Sequence, residues 1–299
     1  MEHRLLRHFL ALVETLHFSR ASEMVHLSPS ALSRSIQQLE ARLGSQLFVR
    51  DNRHVELTPA GKLCAEYARD ALHQWDSLKN RLQAQAQELQ GEISVYCSVT
   101  ASYSFLYQLL DRFRARYPLV EIKLHTGDPA VALQHVIQGE EDIAIAARPD
   151  QLPPAVAFRS IGLSPLVFIA PRQEPMIDRL LGQELKDIDW SQLPMILSEQ
   201  GLGRQRVDAW FRQKALKPKI YAQVSGNEAI VSMVSLGLGV GVVPQIVLDN
   251  SPLIDRVKIL PVTPHLAAYD VGVALLKRKL HNPLIQAFWD LIDEPAEQP

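Results

Sequence analysis

The stretch "HLSPSALSRSIQQLE", residues 26–40, decides how the rest of the chain is read. Ser28 is placed to cap a helix, and Pro29 suits its first turn because the proline nitrogen has no hydrogen to leave unpaired. From there Leu32, Ile36, Leu39 and Leu43 recur at helical spacing and form one apolar stripe. Ser30, Ser33, Arg34 and Gln37 fall on the other side, a short polar face almost free of acids. One face is built to enter a core, and the other offers small hydrogen-bonding groups and a cation.

Upstream, "MEHRLLRHFLALVE" mixes charges among apolar residues, so it reads as an amphipathic helix rather than a signal peptide. Leu5, Leu6, Phe9, Leu10, Leu12, Val13 and Leu16 give it an apolar side. Ser19 is placed to cap a second, short helix, "RASEMV". Gly44 follows Leu43 where a helix end favours a left-handed residue. "QLFVRDNRHVELTPAG" then holds two short apolar runs around a basic turn, a hairpin.

A short helix, a tight turn, a half-polar second helix and a hairpin form a winged helix-turn-helix over residues 1–57. In that arrangement the second helix enters the DNA major groove with its N-terminal residues at the base edges. Arg34 can bridge the two acceptors of a guanine, and Gln37 can pair with adenine. Ser28, Ser30 and Ser33 suit bases or phosphates, and the helix start at Pro29 attracts phosphate. Arg50 and Arg53, in the hairpin, are expected to form a wing that reaches the DNA backbone or minor groove.

Thr58 and Pro59 open another helix that can run to Gln90, a linker over residues 58–90. Ala65, Ala68, Leu72, Trp75, Lys79, Leu82, Ala86 and Leu89 alternate spacings of three and four, a heptad seam that predicts a dimer. From Gly91 the texture changes. "EISVYCSV", "VEIKLHT" and "DIAIAA" read as strands around helical segments. A second set follows in "PLVFIAP", "PMILSE", "KIYAQVS" and "GVGVVP", and "YDVGVALLKRK" closes the pattern. This rhythm predicts an α/β effector domain over residues 91–299 with parallel sheets in two lobes, lobe I from 91–163 and 267–299 and lobe II from 164–266.

Composition narrows the class without choosing a partner. The 299 residues carry 31 basic and 33 acidic side chains. Residues 1–90 hold 11 basic and 10 acidic ones, so a DNA-binding reading rests on where charges point. The two cysteines, Cys64 and Cys97, make no disulfide framework, and the ten histidines show no metal-ligand spacing. No apolar run reaches the length of a membrane span, and the expected location is the cytoplasm. "LGLGVGVV", residues 236–243, has its glycines after a helix and before a strand, the reverse of a dinucleotide-binding loop. "ELKDIDW" reads as an ordinary exposed element.

Across "FSRASEMVHLSPSALSRSIQQLEARLGSQLFVRDNRHVELTPAG" the chain resembles the LysR-type transcriptional regulators. The resemblance continues through the whole chain. It implies a homodimer joined by linker helices, often a dimer of dimers, that binds an interrupted palindrome. It also implies a periplasmic-binding-protein-like effector domain, a small-molecule inducer, contact with RNA polymerase, and no enzymatic activity or cofactor. Its DNA-contact positions fall on Pro29, Ser30, Ser33, Arg34, Gln37 and Arg53, and Ser28 stands where many members have glutamine. "CSVTASYS", "LDRFRARYPLVEIKLHTGD" and "NEAIVSMVSLGLGVGVVPQIVLDNSP" closely resemble members that control isoleucine and valine biosynthesis. Those members activate the acetohydroxy acid isomeroreductase gene, with acetolactate or acetohydroxybutyrate as inducer.

A cleft between two lobes is a common seat for such a ligand, at the carboxyl ends of strands. "ISVYCSV" runs into Thr100, Ala101 and Ser102, where hydroxyls and free N–H groups favour an anion. Thr126, Gly127, Arg148, Gln200, Gly226 and Asn227 follow the other strands. Thr100 and Ser102 suit a carboxylate, and Gln200, Thr126 or Asn227 suit the hydroxyl and ketone. Arg148 can add a charge-assisted bond. Two other classes remain open at this stage, a small-molecule-binding protein without DNA function and an enzyme working in the cleft. The helix-turn-helix speaks against the first, and the absence of a nucleophile or metal motif speaks against the second.

Overall fold

The computed structural model describes residues 2–50, 55–84, 89–182 and 188–293. They divide near residue 90 into two compact units. The N-terminal unit begins with α1 (Glu2–Thr15), α2 (Phe18–Met24) and α3 (Pro29–Leu43). A two-stranded antiparallel hairpin follows, β1 (Phe48–Arg50) and β2 (Val55–Leu57), and then α4 (Pro59–Ala84).

The local signals in residues 26–44 act as read. Ser28 has extended backbone and its Oγ accepts from the Ala31 N–H at 3.2 Å, while Gly44 ends α3 at φ +65°. Leu32, Ile36 and Leu39 are buried against Leu5, Phe9 and Leu12 of α1 and Phe48 of the hairpin. Fully burying each such side chain is worth about 1.5–3 kcal/mol. Leu43 is 51% exposed, because the chain leaves the helix at Gly44 before the fourth position of the stripe reaches the core. His17, not Ser19, caps α2, with its ring nitrogen facing the Arg20 N–H at 3.5 Å. The helix begins two residues earlier than expected, and Phe18 packs against the core.

The expected seam on α4 is corrected. Ala65 and Ala68 are buried in the core of their own unit, and Leu72 packs beside them. The opposite side of the helix exposes Leu63, Tyr67 and Leu78 instead. Periodicity finds an apolar face but does not tell which of two faces meets the same chain. The side chains of Lys79 and Leu82 and all of residues 85–88 lie outside the described residues.

The C-terminal unit has two five-stranded sheets. From Gly91 the order is β3 (Gly91–Cys97), α5 (Val99–Ala101), a π turn (Ser102–Leu106), α6 (Tyr107–Arg116), β4 (Val120–Thr126), α7 (Ala132–Ile137), β5 (Ile143–Ala147) and β6 (Val156–Ser164). β7 (Leu166–Pro171), α8 (Pro175–Leu181), β8 (Pro194–Ser198), α9 (Gly201–Gln213), β9 (Lys219–Val224), α10 (Asn227–Ser235) and β10 (Val240–Pro244) come next. α11 (Gln245–Asp249), β11 (Val257–Leu260), β12 (Tyr269–Leu276) and α12 (Pro283–Asp290) complete the described chain. The strand orders are β4-β3-β5-β12-β6 and β11-β7-β10-β8-β9.

The sheets are mixed rather than parallel. β3 lies parallel to β4 and β5, and β8 parallel to β9 and β10, each through local helical crossovers. β12 runs antiparallel to β5 and β6, and β7 antiparallel to β10 and β11. β7 and β12, the strands on which the chain arrives after crossing between the lobes, run opposite to the other strands of their sheets, whereas β6 keeps the sense of β3, β4 and β5. The glycines of "LGLGVGVV" end α10 and lead into β10. Gly239 sits at φ +158°, where an added Cβ would lie 2.3 Å from the Pro194 carbonyl oxygen. The "ELKDIDW" reading is corrected where it is described, because Ile188 and Trp190 are buried. Trp190 meets Phe168, Trp210 and Phe211 with ring centroids 5.1–5.7 Å apart, so aromatic burial overrides the local charge pattern.

Candidate functional site

The polar side of α3 is the first candidate surface. Ser28, Pro29, Ser30, Arg34 and Gln37 are exposed, and Ser33 is half-buried. Ser28 Oγ and Ser30 Oγ lie 3.1 Å apart. The helix is fixed from behind by polar ties as well as by leucines. His8 Nδ1 lies 2.9 Å from Ser35 Oγ, and burial together with Arg4 favours the neutral ring. Glu40, the acid on the later turns of α3, is turned to structural use. Its Oε1 accepts from the Leu47 and Phe48 N–H groups at 2.9 and 3.3 Å, which ties the hairpin to α3. The hydrogen-bonding front at Ser30, Arg34 and Gln37 therefore stands on a rigid base. Arg50 belongs to β1, its side chain outside the described residues, and Arg53 lies outside them altogether.

The second candidate is a cleft of about 460 Å³, open to solvent, between the two lobes of the C-terminal unit. Ser98, Thr100, Ala101 and Phe105 line it from the start of the long helical run after β3. β5 contributes Ile145, Ala146 and Ala147, and β12 contributes Val271. Asn227, Pro244, Ile246 and Val247 face them from the other lobe. Pro129, together with Ser164 and Tyr269 where strands cross between the lobes, completes the lining.

Of the nine cleft residues expected from the sequence, the structure brings Thr100, Ala101 and Asn227 together. Ser98, not Thr100, is the helix cap, its Oγ accepting from the Ala101 N–H. Thr100 is buried, and both its N–H and its Oγ1–H donate to Glu228 Oε1 of the facing lobe, at 3.2 and 2.6 Å. Of the two residues expected to hold a carboxylate, Thr100 does hold one, and it is the protein's own. Ser102 donates to the Val99 carbonyl and caps its own turn.

The remaining five do not line this cleft. Thr126 is exposed at the end of the edge strand β4. Gly127 donates to the Cys97 carbonyl and has no room for a side chain, since an added Cβ would lie 2.3 Å from Tyr96 Oη. Arg148 is exposed, stands 3.8 Å from Asp270 and lies over the Phe158 ring. Gln200 is exposed ahead of α9, and Gly226, at φ +83°, precedes α10. A position after a strand finds the end of the sheets on which this cleft opens. It did not say which loops turn inward.

Glu228, Ser164 and Tyr269 escaped the sequence reading. Glu228 sits in the first turn of a helix, an ordinary place for an acid, and Ser164 merely precedes a proline. Burial pushes the Tyr269 phenol up to about 12, against the pull of Arg206 over its ring, so the ring keeps its proton. Both thiols are buried, and burial raises them, Cys97 to about 11. They are packing residues rather than reactive ones.

Comparison with known proteins covers both units of the chain. Residues 3–62 match the family model described as bacterial regulatory helix-turn-helix protein, lysR family, and residues 86–296 match LysR substrate binding domain. The chain is 46% identical to the HTH-type transcriptional activator IlvY of Salmonella typhimurium, covering 98% of this chain and 99% of that protein. It is 43% identical to the protein of the same name from Haemophilus influenzae, covering 98% and 100%. Among solved structures, the LysR family transcriptional regulator CbnR aligns over 100% of both chains with a TM-score of 0.66 at 23% identity. With helix-turn-helix and ligand-domain models together spanning nearly its whole length, and relatives named as regulators rather than enzymes, the chain belongs to the LysR family of DNA-binding transcriptional regulators.

Proposed function

We propose that this regulator is a transcriptional activator of branched-chain amino acid biosynthesis, which binds an operator duplex through α3 and responds to acetolactate or acetohydroxybutyrate held between the lobes. The observation that carries the DNA half is the outward Ser30, Arg34 and Gln37 above buried Leu32, Ile36 and Leu39. The pathway rests on the likeness to the IlvY activators. In this reading residues 1–57 bind DNA, 58–90 join two copies and 91–299 sense the inducer. Pro29, Ser30, Ser33, Arg34 and Gln37 meet the major groove, and Arg53 meets the backbone. The exposed Leu63, Tyr67 and Leu78 of α4 supply an apolar surface for a second copy, which can pair again into a dimer of dimers. The protein acts in the cytoplasm, on promoters read by RNA polymerase.

Sensing requires that the ligand favour one arrangement over another, since equal affinity for both shifts nothing. The expected result of footprinting the full-length protein on its operator is a change in half-site spacing or bend when acetolactate is added. Identical footprints with the ligand demonstrably bound would contradict the reading. Calorimetric titration with acetolactate beside other 2-oxo and 2-hydroxy acids decides which small acid is sensed.

Glu228 gives the cleft a second test. A carboxylate inducer that takes the Thr100 donors must displace the carboxylate already on them. Glu228→Gln keeps the size and removes the charge, so acetolactate should bind about tenfold tighter, near 1.4 kcal/mol. Weaker binding in the calorimeter would mean that Glu228 instead receives a hydrogen bond from the ligand.

A further inference from the structure

We propose that Ser164 is the specificity residue of the cleft and pairs with the hydroxyl of its small-acid ligand. The assignment rests on the reading of this cleft as the effector site. Ser164 ends β6 where the chain passes between the lobes, opposite Tyr269 in the register of β12. The residue is 2% exposed and lines the cavity. Its Oγ is buried and has no hydrogen-bond partner among the described residues.

A serine hydroxyl is one donor and two acceptors. Left unpaired in an interior it costs stability, and such groups are uncommon in folded chains. The two buried hydroxyls on this cavity therefore differ. That of Thr100 is engaged by Glu228, whereas that of Ser164 is not. Around Ser164 the lining is largely apolar, with Ile145, Ala147 and Val271 on one side and Val247 on the other. One hydroxyl among alkyl groups suits a ligand that is itself mostly small alkyl with one hydroxyl. A site of this kind rejects an analogue that lacks the group, because its own hydroxyl then stays unpaired.

The test compares the full-length wild type with Ser164→Ala, by calorimetry and by thermal unfolding without ligand. The probes are acetolactate and 2,2-dimethylacetoacetate, in which a methyl group replaces the hydroxyl. Acetolactate should bind the variant about tenfold more weakly. 2,2-Dimethylacetoacetate should bind the two proteins within about twofold, and the ligand-free variant should unfold at the same temperature or higher. Ser164→Cys, which is slightly larger and donates only weakly, should behave like the alanine variant. Unchanged acetolactate affinity in the variants overturns the assignment while leaving the effector reading intact. Equal losses for both probes, or a lower unfolding temperature, also overturn it, because the hydroxyl then serves packing or the fold. A wild type that binds neither probe nor any other 2-hydroxy or 2-oxo acid overturns the effector reading and the Ser164 assignment together.

Discussion

Lys279→Met should destabilise the effector unit by about 3–5 kcal/mol, the largest effect expected of any single change considered. The ammonium of Lys279 donates to Asp142 Oδ1 at 2.8 Å and to the Glu141 carbonyl at 2.9 Å. The two side chains are only 5% and 8% exposed. Asp142 Oδ2 in turn accepts from the Ser94 N–H at 2.9 Å, and the Asp142 N–H donates to Ser94 Oγ at 3.0 Å. The pair thus joins the turn after β12 to β3 and to the start of β5. Methionine fills the same space but removes the positive charge that balances a buried carboxylate. In a unit of this size the loss should lower the midpoint of thermal unfolding by about 10 °C. Pairing it with Asp142→Asn should recover much of the loss, since two neutral partners need no counter-charge. If the double variant unfolds at the sum of the two single losses, the charges are not coupled. DNA affinity of the N-terminal unit, measured well below the midpoint, is a control that the substitution does not act at α3.

These contrasts show which physical signals a single sequence carries. The half-polar helix at residues 29–43 was legible because cap, proline, stripe and terminal glycine are local and agree with one another. Eight strands of the C-terminal unit were legible as apolar runs between turn signals, but β6 and β11 were not. β6 mixes Arg159, Ser160 and Gly162 with apolar residues, having one buried neighbour strand and no alternation to mark it. Sheet direction was misread for a topological reason. The strand that receives the chain after each crossing between lobes, β7 in one sheet and β12 in the other, runs opposite to its neighbours, and no local pattern records that.

The cleft was half-legible for a related reason. Thr100 and Asn227 follow β3 and β9 and could be placed by the rule that ligands sit at strand ends. The same rule nominated Arg148, whose neighbour Asp270 comes from a strand far along the chain. Glu228 meets Thr100 across 128 residues, so the contact most relevant to an anionic ligand is a tertiary fact. The first half of the seam on α4 failed in the same way, with Ala65 and Ala68 turned inward, while Trp75 stays exposed.

Arg34→Ala should cost about 1–3 kcal/mol of operator binding and relax discrimination at one base position. The expectation follows from placement. Arg34 is exposed on the polar side of α3, between Leu32 and Ile36, which are fully buried. Its removal therefore leaves the core intact, and unfolding of the variant should match the wild type. A guanidinium facing a guanine makes two parallel bonds, which lysine cannot reproduce. Arg34→Lys should thus lose nearly as much specificity as alanine while keeping the dependence on salt. If Arg34 met only phosphate, lysine would restore binding, and alanine would weaken operator and unrelated DNA alike with a shallower salt slope. Anisotropy titrations of both variants on operator and scrambled duplexes, at two salt concentrations, separate these outcomes. An operator footprint unchanged by Arg34→Ala would place the reading face of the molecule elsewhere than the polar side of α3.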